Sequence, residues 1–250
     1  MTYSVCDATD IGLMQFLTII RKQNPTELEI TSTLQDCIVG VEDIHQHLDI
    51  NTTILCTHRS DVQYYNILVL QRSFNSTEIQ EVHVKTNAEE ESALNSWIND
   101  SKFHELHAIA IGARCMITGN IDLSVGEANS AICTIIEMEK STDENVTSIV
   151  VSIIATNKFV TLRRLKHKQT SINGTWYHKS TFPLSLAYAM TGHKSQGATI
   201  HNKLLLVFKD AFALGLAYVM LSRITDRKNL KILGMPTPDI FSPMPSTIVH

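Results

Sequence analysis

The sequence predicts an α/β domain interrupted by a β-rich insertion, and three observations carry that prediction. Thr53-Ile-Leu-Cys-Thr57 followed by a helical pattern through Leu68 is a strand-loop-helix step, the basic unit of an α/β domain. Far downstream, the apolar run Ala187-Tyr188-Ala189-Met190 ends in Thr191-Gly192-His193-Lys194-Ser195-Gln196-Gly197. That is a buried strand delivering hydroxyls, an imidazole, an ammonium, an amide and a glycine turn to one place, as α/β sheets do at their ligand sites. Between the two lie several short strand-like runs without helical spacing, which predict a small β-barrel or curled meander.

Taken in order, Asp10 precedes Ile11, Leu13, Met14, Leu17 and Ile20, an apolar stripe at helical spacing that runs into Arg21-Lys22. Asn24-Pro25 predicts a second helix with Pro25 at its first position and Leu28, Leu34 and Ile38 facing inward. Glu81-Val-His-Val-Lys85 alternates like a strand, and Glu89-Glu-Glu91 reads as a solvated loop or first helical turn. The β-rich interval comprises runs at 108–118, 131–136, 146–154 and 159–162, with Asn173-Gly174 as a hairpin turn near its end. After the polar segment, Lys203–Phe208 predicts a strand and Leu214, Ala217 and Leu221 a helix, with a last strand at Leu230–Leu233. Four of the six prolines lie in the final segment, so residues after Gly234 are expected to form a loose tail.

Composition narrows the function. The 250 residues, 44% hydrophobic and 18% charged, are enough for a sizeable core. The formal charge of −4 with a pI near 6.2 excludes a global basic field, so binding to nucleic acid or to an anionic membrane would have to be local. Cys6, Cys37, Cys56, Cys115 and Cys133 form no C-x-x-C pair and are expected to be reduced and mostly buried. No signal peptide pattern opens the chain and no apolar run reaches the ~18 residues of a membrane span, which predicts an intracellular protein without membrane attachment. Sequons begin at Asn51, Asn75, Asn145 and Asn173 and carry no weight without secretion. His104-Glu-Leu-His107 is not H-E-x-x-H, so no metal site is predicted, and Ser195 is not in G-x-S-x-G.

The motifs resemble those of the superfamily 1, RecD-like DNA helicases, in particular their petite-integration-frequency (PIF) branch. Phe182-Pro-Leu-x-Leu-Ala-Tyr-Ala-Met-Thr-x-His-Lys-Ser-Gln-Gly-x-Thr199 is similar to that family's motif V and its approach. Ala213-x-Gly-x-x-Tyr-Val-x-Leu-Ser-Arg223 is similar to motif VI, and Thr53–Thr57 with Asn66 to motif IV. Upstream of the β-rich part, Ile111-Gly-Ala-Arg-Cys-Met-Ile-x-x-Asn-Ile-Asp122 resembles the family's glycine–alanine–arginine segment.

The resemblance implies a second RecA-like, P-loop NTPase-type parallel-sheet domain at 1–110 and 181–235, an SH3-like β-barrel insertion at 111–180 and a flexible tail at 236–250. It implies Arg223 as an arginine finger toward a γ-phosphate, Gln196, Gly197 and Ser222 as nucleotide-binding, and Thr191, His193 and Lys194 as contacts to single-stranded DNA. Telomere maintenance and DNA repair and recombination are the processes it suggests, with a nuclear location in a eukaryote and 5'-to-3' polarity.

The implied ATP and Mg²⁺ belong to the complete family enzyme, because the sequence holds neither G-x-x-x-x-G-K-[ST] nor a magnesium-binding acidic pair. The partners expected are single-stranded DNA and an N-terminal RecA-like ATPase domain; alone, the chain is expected neither to hold ATP tightly nor to hydrolyse it. The alternatives are a truncated or decayed helicase serving as a DNA- or partner-binding module, and an inert product of a mobile or viral element. Lys158, Arg163, Arg164, Lys166 and Lys168 form a local basic group that is either a solvated strand face or a DNA-backbone contact.

Several positions depart from the family pattern. Leu216 replaces a glutamine, Ser130 and Cys133 stand where glycines are expected, and Asp7-Ala8 occupies the place of an arginine–glutamine pair. Together these imply a nucleotide cleft under weak constraint.

Overall fold

The computed structural model describes residues 10–82, 85–86, 108–119, 130–172, 175–209 and 214–243. It divides into two compact units, one formed by residues 1–69 and 188–250, the other by 70–187.

The first unit opens with α1 (Ile11–Ile20), capped by Asp10, whose carboxylate accepts from the Leu13 amide. Of the predicted stripe, Leu13, Leu17 and Ile20 are buried, joined by Phe16, whereas Ile11 and Met14 are exposed. Helix α2 (Glu27–Leu34) starts two residues later than Pro25 predicted, because Thr26 and Glu29 form a reciprocal capping box that outcompetes the proline as a start signal. Its inner residues are Ile30 and Leu34, whereas Leu28 is 77% exposed and Ile38 lies in a strand. Strand β1 (Ile38–Val39) and β2 (Thr53–Cys56) follow, and α3 (Arg59–Ser73) leads out of the unit.

The second unit holds two very short strands, β3 (Gln80–Glu81) and β4 (Lys85–Thr86), in place of the single predicted one, with residues 83–84 outside the described set. Then come β5 (Ala108–Ile109), β6 (Arg114–Ile117), β7 (Ile132–Lys140), β8 (Val146–Ile153), β9 (Phe159–Arg163), β10 (Leu165–Ile172), β11 (Thr175–Thr181) and β12 (Leu184–Leu186). The predicted run at 108–118 is split at Gly112, whose φ of 87° turns the chain between β5 and β6. A five-stranded antiparallel sheet has the order β12, β6, β7, β8, β9, and β11 lies between β10 and β4 in a second sheet. Ile172 pairs with Thr175; Asn173 and Gly174, where the hairpin turn is expected, lie outside the described residues.

Back in the first unit, β13 (Ala189–Thr191), β14 (Leu204–Val207), α4 (Leu216–Leu221) and β15 (Leu230–Leu233) complete an all-parallel sheet in the order β1, β15, β14, β2, β13. This is an α/β, RecA-like arrangement. Leu204–Val207 is buried at every position, as a strand covered on both faces must be. The α1 stripe packs with Leu55, Leu204, Leu206, Ile232 and the α4 residues Leu216, Ala217, Met220 and Leu221.

The expected loose tail is corrected over 238–241: Pro238–Phe241 forms a 3-10 turn, and Phe241, 2% exposed, sets its ring edge-on to Phe16 at 5.5 Å and Phe208 at 6.0 Å. A single buried aromatic side chain outweighs the proline signal. Cys37, Cys56, Cys115 and Cys133 are free and buried; Cys6 lies outside the described residues. No helix among the described residues is long and apolar enough to cross a membrane.

Candidate functional site

The polar segment lies where the sequence places it, at the C-terminal end of the parallel sheet. Thr191 pairs with Cys56 at the end of β13, and the Gly192 amide donates to the Cys56 carbonyl at 3.1 Å. Beyond it the backbone coils on itself. The amides of Lys194 and Ser195 donate to the Thr191 carbonyl, that of Gln196 to His193, and that of Ala198 to Ser195. Ser195, 0% exposed, turns its hydroxyl back to the Gly192 carbonyl at 2.7 Å, so it shapes the loop and offers nothing to a ligand.

One side chain outside the loop holds the strand that carries it, and a second ties its neighbours together. Asn66 of α3 accepts from the amides of Tyr188 and Ala189 at 2.9 and 2.8 Å and donates to the Ala189 carbonyl at 3.0 Å. An amide can satisfy a strand's donors and acceptor together, which is why asparagine is needed here. Thr57 donates to the Lys209 carbonyl at 2.6 Å and accepts from its amide at 3.1 Å, tying the end of β2 to the chain leaving β14.

Gly192 is required by close approach. A Cβ there would lie 2.5 Å from Met220 Cγ and 2.8 Å from Leu216 Cδ1, both on α4. Leu216, 3% exposed, therefore belongs to the core, at a position where the resemblance expects a glutamine. Gly197 has a φ of 83° with open space around it, the left-handed turn that lets the loop double back.

Arg223 is docked on this same loop. Its Nε donates to the Val219 carbonyl at 2.8 Å and its Nη2 to the Ser222 hydroxyl at 2.8 Å; Nη1 donates to the Ala198 carbonyl at 3.2 Å and to the Ser195 carbonyl at 3.5 Å. The guanidinium thus lies between α4 and the two carbonyls that flank Gln196-Gly197. Ser222 is buried, and its hydroxyl donates to Val219 at 3.0 Å while accepting from Arg223. Of the expected nucleotide-binding residues, Gln196 and Gly197 are exposed beside Arg223, whereas Ser222 acts within the protein.

His193 and Lys194 are exposed on the loop and Thr191 is half-buried beneath them. Desolvation, and secondly the nearby positive charge of Arg59, hold the Lys194 ammonium below the usual lysine range. Arg59 is the first residue of α3, a position where the sequence shows only a helix start. The positive charge of Arg59 is thus felt at Lys194, at the end of the sheet where α3 begins. Sequence reasoning missed Arg59 because its closeness to Lys194 joins residues far apart in the chain.

Of the basic group of the second unit, the described members differ in exposure. Arg164 turns inward, stacking 4.6 Å over the Phe182 ring and donating to the Ser180 carbonyl at 3.3 Å, and burial lowers its pKa. Lys158 and Arg163 are exposed, and the side chains of Lys166 and Lys168 lie outside the described set. His104, His107 and Asp7-Ala8 also lie outside it.

No family model matches the chain. In sequence it is 28% identical over 243 residues to the ATP-dependent DNA helicase PIF1 of Xenopus laevis, a match covering 89% of this chain and 35% of that protein. It is also 28% identical over 227 residues to the ATP-dependent DNA helicase PIF1 of Homo sapiens, covering 91% and 33%. In fold it matches a Pif1 helicase from Bacteroides crystallised with ADP-AlF3 and ssDNA, with a TM-score of 0.71 and 22% identity, over 96% of this chain and 52% of that one. The chain spans about a third of the length of these two curated relatives.

Proposed function

We propose that this chain, a relative of the PIF1 DNA helicases over most of its length, is the C-terminal motor portion of such a helicase. Residues 1–69 and 188–250 would be its second RecA-like domain, and the antiparallel unit an SH3-like insertion. The observation that carries the reading is the junction of the loop 191–198 with Arg223 at the C-terminal end of the parallel sheet. A DNA-facing wall of Thr191, His193, Lys194 and Arg59 and a nucleotide-facing arginine then share one loop. Single-stranded DNA is the polyanion this wall takes, and the complete enzyme would use ATP with Mg²⁺ and move 5'-to-3'.

The residues that would cradle the phosphates and the metal are not in this sequence, so the chain supplies Arg223, Gln196 and Gly197 to a site completed by an N-terminal ATPase domain. The test pairs two measurements on the pure chain. A fluorescent single-stranded oligonucleotide should bind weakly at low salt and be released as salt rises, and ATP should not be turned over. DNA-stimulated ATP turnover that disappears in Arg223→Ala would overturn the claim that this chain cannot hydrolyse ATP alone.

A second reading is a DNA- or partner-binding module without ATPase activity. It is favoured by the engagement of Arg223 and Ser222 with this chain's own polar groups. Failure of any added N-terminal PIF1-type ATPase domain to restore turnover would support it.

A further inference from the structure

Cys115 of β6 and Cys133 of β7 are directly opposed partners in the five-stranded antiparallel sheet. Cys133 stands where the resemblance expects a glycine, which would give Cys115 no sulfur to meet. Opposed residues of an antiparallel pair point to the same face with Cα atoms about 4.5 or 5.5 Å apart, and both separations lie within the span a disulfide bridges. Both thiols are free and 0% exposed. Along the same row Leu186 pairs with Cys115 and Ile153 with Cys133, and both are buried. Two thiols therefore stand side by side in an apolar layer that excludes water.

The closed sheet keeps this dithiol unreactive. Burial, and secondly the neighbouring Cys133, push the Cys115 thiol well above its ordinary pKa, and burial pushes Cys133 up to about 12. The thiolate is the nucleophile in thiol–disulfide exchange, so neither sulfur attacks a disulfide while β6 and β7 stay paired. Strand β6 is four residues long, against nine in β7 and eight in β8. The β6–β7 seam therefore carries the shorter ladder and opens before β7 parts from β8.

We propose that Cys115 and Cys133 are a latent cross-strand disulfide, a redox latch that, once closed, pins β6 to β7 and locks the antiparallel unit. The oxidant is a low-molecular-weight disulfide such as oxidised glutathione, which gains access when the seam opens. One cysteine thiolate attacks a glutathione sulfur, forming a mixed disulfide and releasing one glutathione thiolate. The other cysteine thiolate then attacks the protein sulfur of the mixed disulfide, forming the Cys115–Cys133 bond and releasing the second glutathione. Two protein thiols are oxidised, one small disulfide is reduced, and the leaving thiolates take up the two protons the cysteines lose. Reclosure of the sheet shields the new bond from reducing thiols, so the same opening gates both directions. The latch is independent of the DNA and nucleotide readings given above.

The test incubates the full 250-residue chain with oxidised glutathione, without urea and in urea below the unfolding midpoint, as wild type, Cys115→Ala and Cys133→Ala. The products are cleaved at acidic residues, so that Asp122 and Glu127 separate the two cysteines, and mapped by mass. The expected wild-type product is a Cys115–Cys133 link that forms at least about tenfold faster in subdenaturing urea, because exchange waits on opening. Each single variant should stop at a glutathione adduct on its remaining cysteine. The linked protein should show a urea midpoint raised by about 1–2 M, as closing a loop of this size at an ordinary urea slope implies, and lose the gain on reduction. Wild type that yields only glutathione adducts, only links through other cysteines, or no product below the midpoint would overturn the pairing. A Cys115–Cys133 link that leaves the midpoint unchanged or lower would overturn the latch. If an alanine variant does not fold, the wild-type map decides alone, since it reads which sulfurs are joined.

Discussion

At the scale of single residues, backbone conformation and close approach explain several positions that a motif describes only as letters. Gly192 is the tightest. Gly192→Ala drives a methyl into Met220 and Leu216, and the expected loss is about 1–3 kcal/mol, read as a lower urea midpoint at unchanged slope. Ser130 stands where the resemblance expects glycine, and its φ of 81° keeps the left-handed backbone that glycine would adopt freely. Ser130→Gly should therefore stabilise by about 0.5–1 kcal/mol in the same assay, opposite in sign to most glycine substitutions. Lys194 yields a pH prediction. Its pKa is lowered by desolvation and by Arg59, and phosphate binding needs the ammonium. Affinity for single-stranded DNA should fall as pH rises through a pKa below the ordinary lysine range. Oligonucleotide titrations across that range should show the fall in wild type and its absence in Lys194→Arg.

At the scale of elements, local capping competes with other start signals. Helix α2 begins after Thr26 because its hydroxyl accepts from the Glu29 amide at 3.2 Å while Glu29 accepts from the Thr26 amide at 2.7 Å. The Thr26 amide, and then the Thr26 hydroxyl, lower the Glu29 pKa below the usual glutamate value. A carboxylate with a lowered folded-state pKa contributes stability above its unfolded pKa and loses it as pH falls through the folded one. Acid titration of unfolding should show this loss in the wild type, and Glu29→Gln should flatten that part of the curve. The strands follow a simpler rule. Leu204–Val207 is central and buried on both faces, whereas β9 alternates exposed and buried residues at every step. That difference in pattern is visible in the residues themselves, which is why a parallel and an antiparallel part were separable before any coordinates.

At the scale of the whole molecule, charge limits what the site can do. With a net charge of −4, attraction to DNA under the proposed reading would come from a few local cations, chiefly Lys194 and Arg59. The logarithm of the binding constant should fall with the logarithm of salt by about 0.7 per phosphate contacted, giving a slope of roughly −1 to −2. Titrations at several salt concentrations check this, and a much steeper slope would place further cations of the chain on the DNA.

What the sequence determined by itself is the succession of elements, the α/β class of the first unit and the identity of the loop 191–197, because side-chain periodicity and short motifs are local properties. Only the tertiary structure decided the rest. Arg223 meets the carbonyls of Ser195 and Ala198 across more than twenty residues, and Asn66 meets Ala189 across 123. Phe241 leaves its proline-rich surroundings for the core beside Phe16, and Arg59 comes to Lys194. These pairings depend on which strands lie side by side, and no local pattern in the chain records that order.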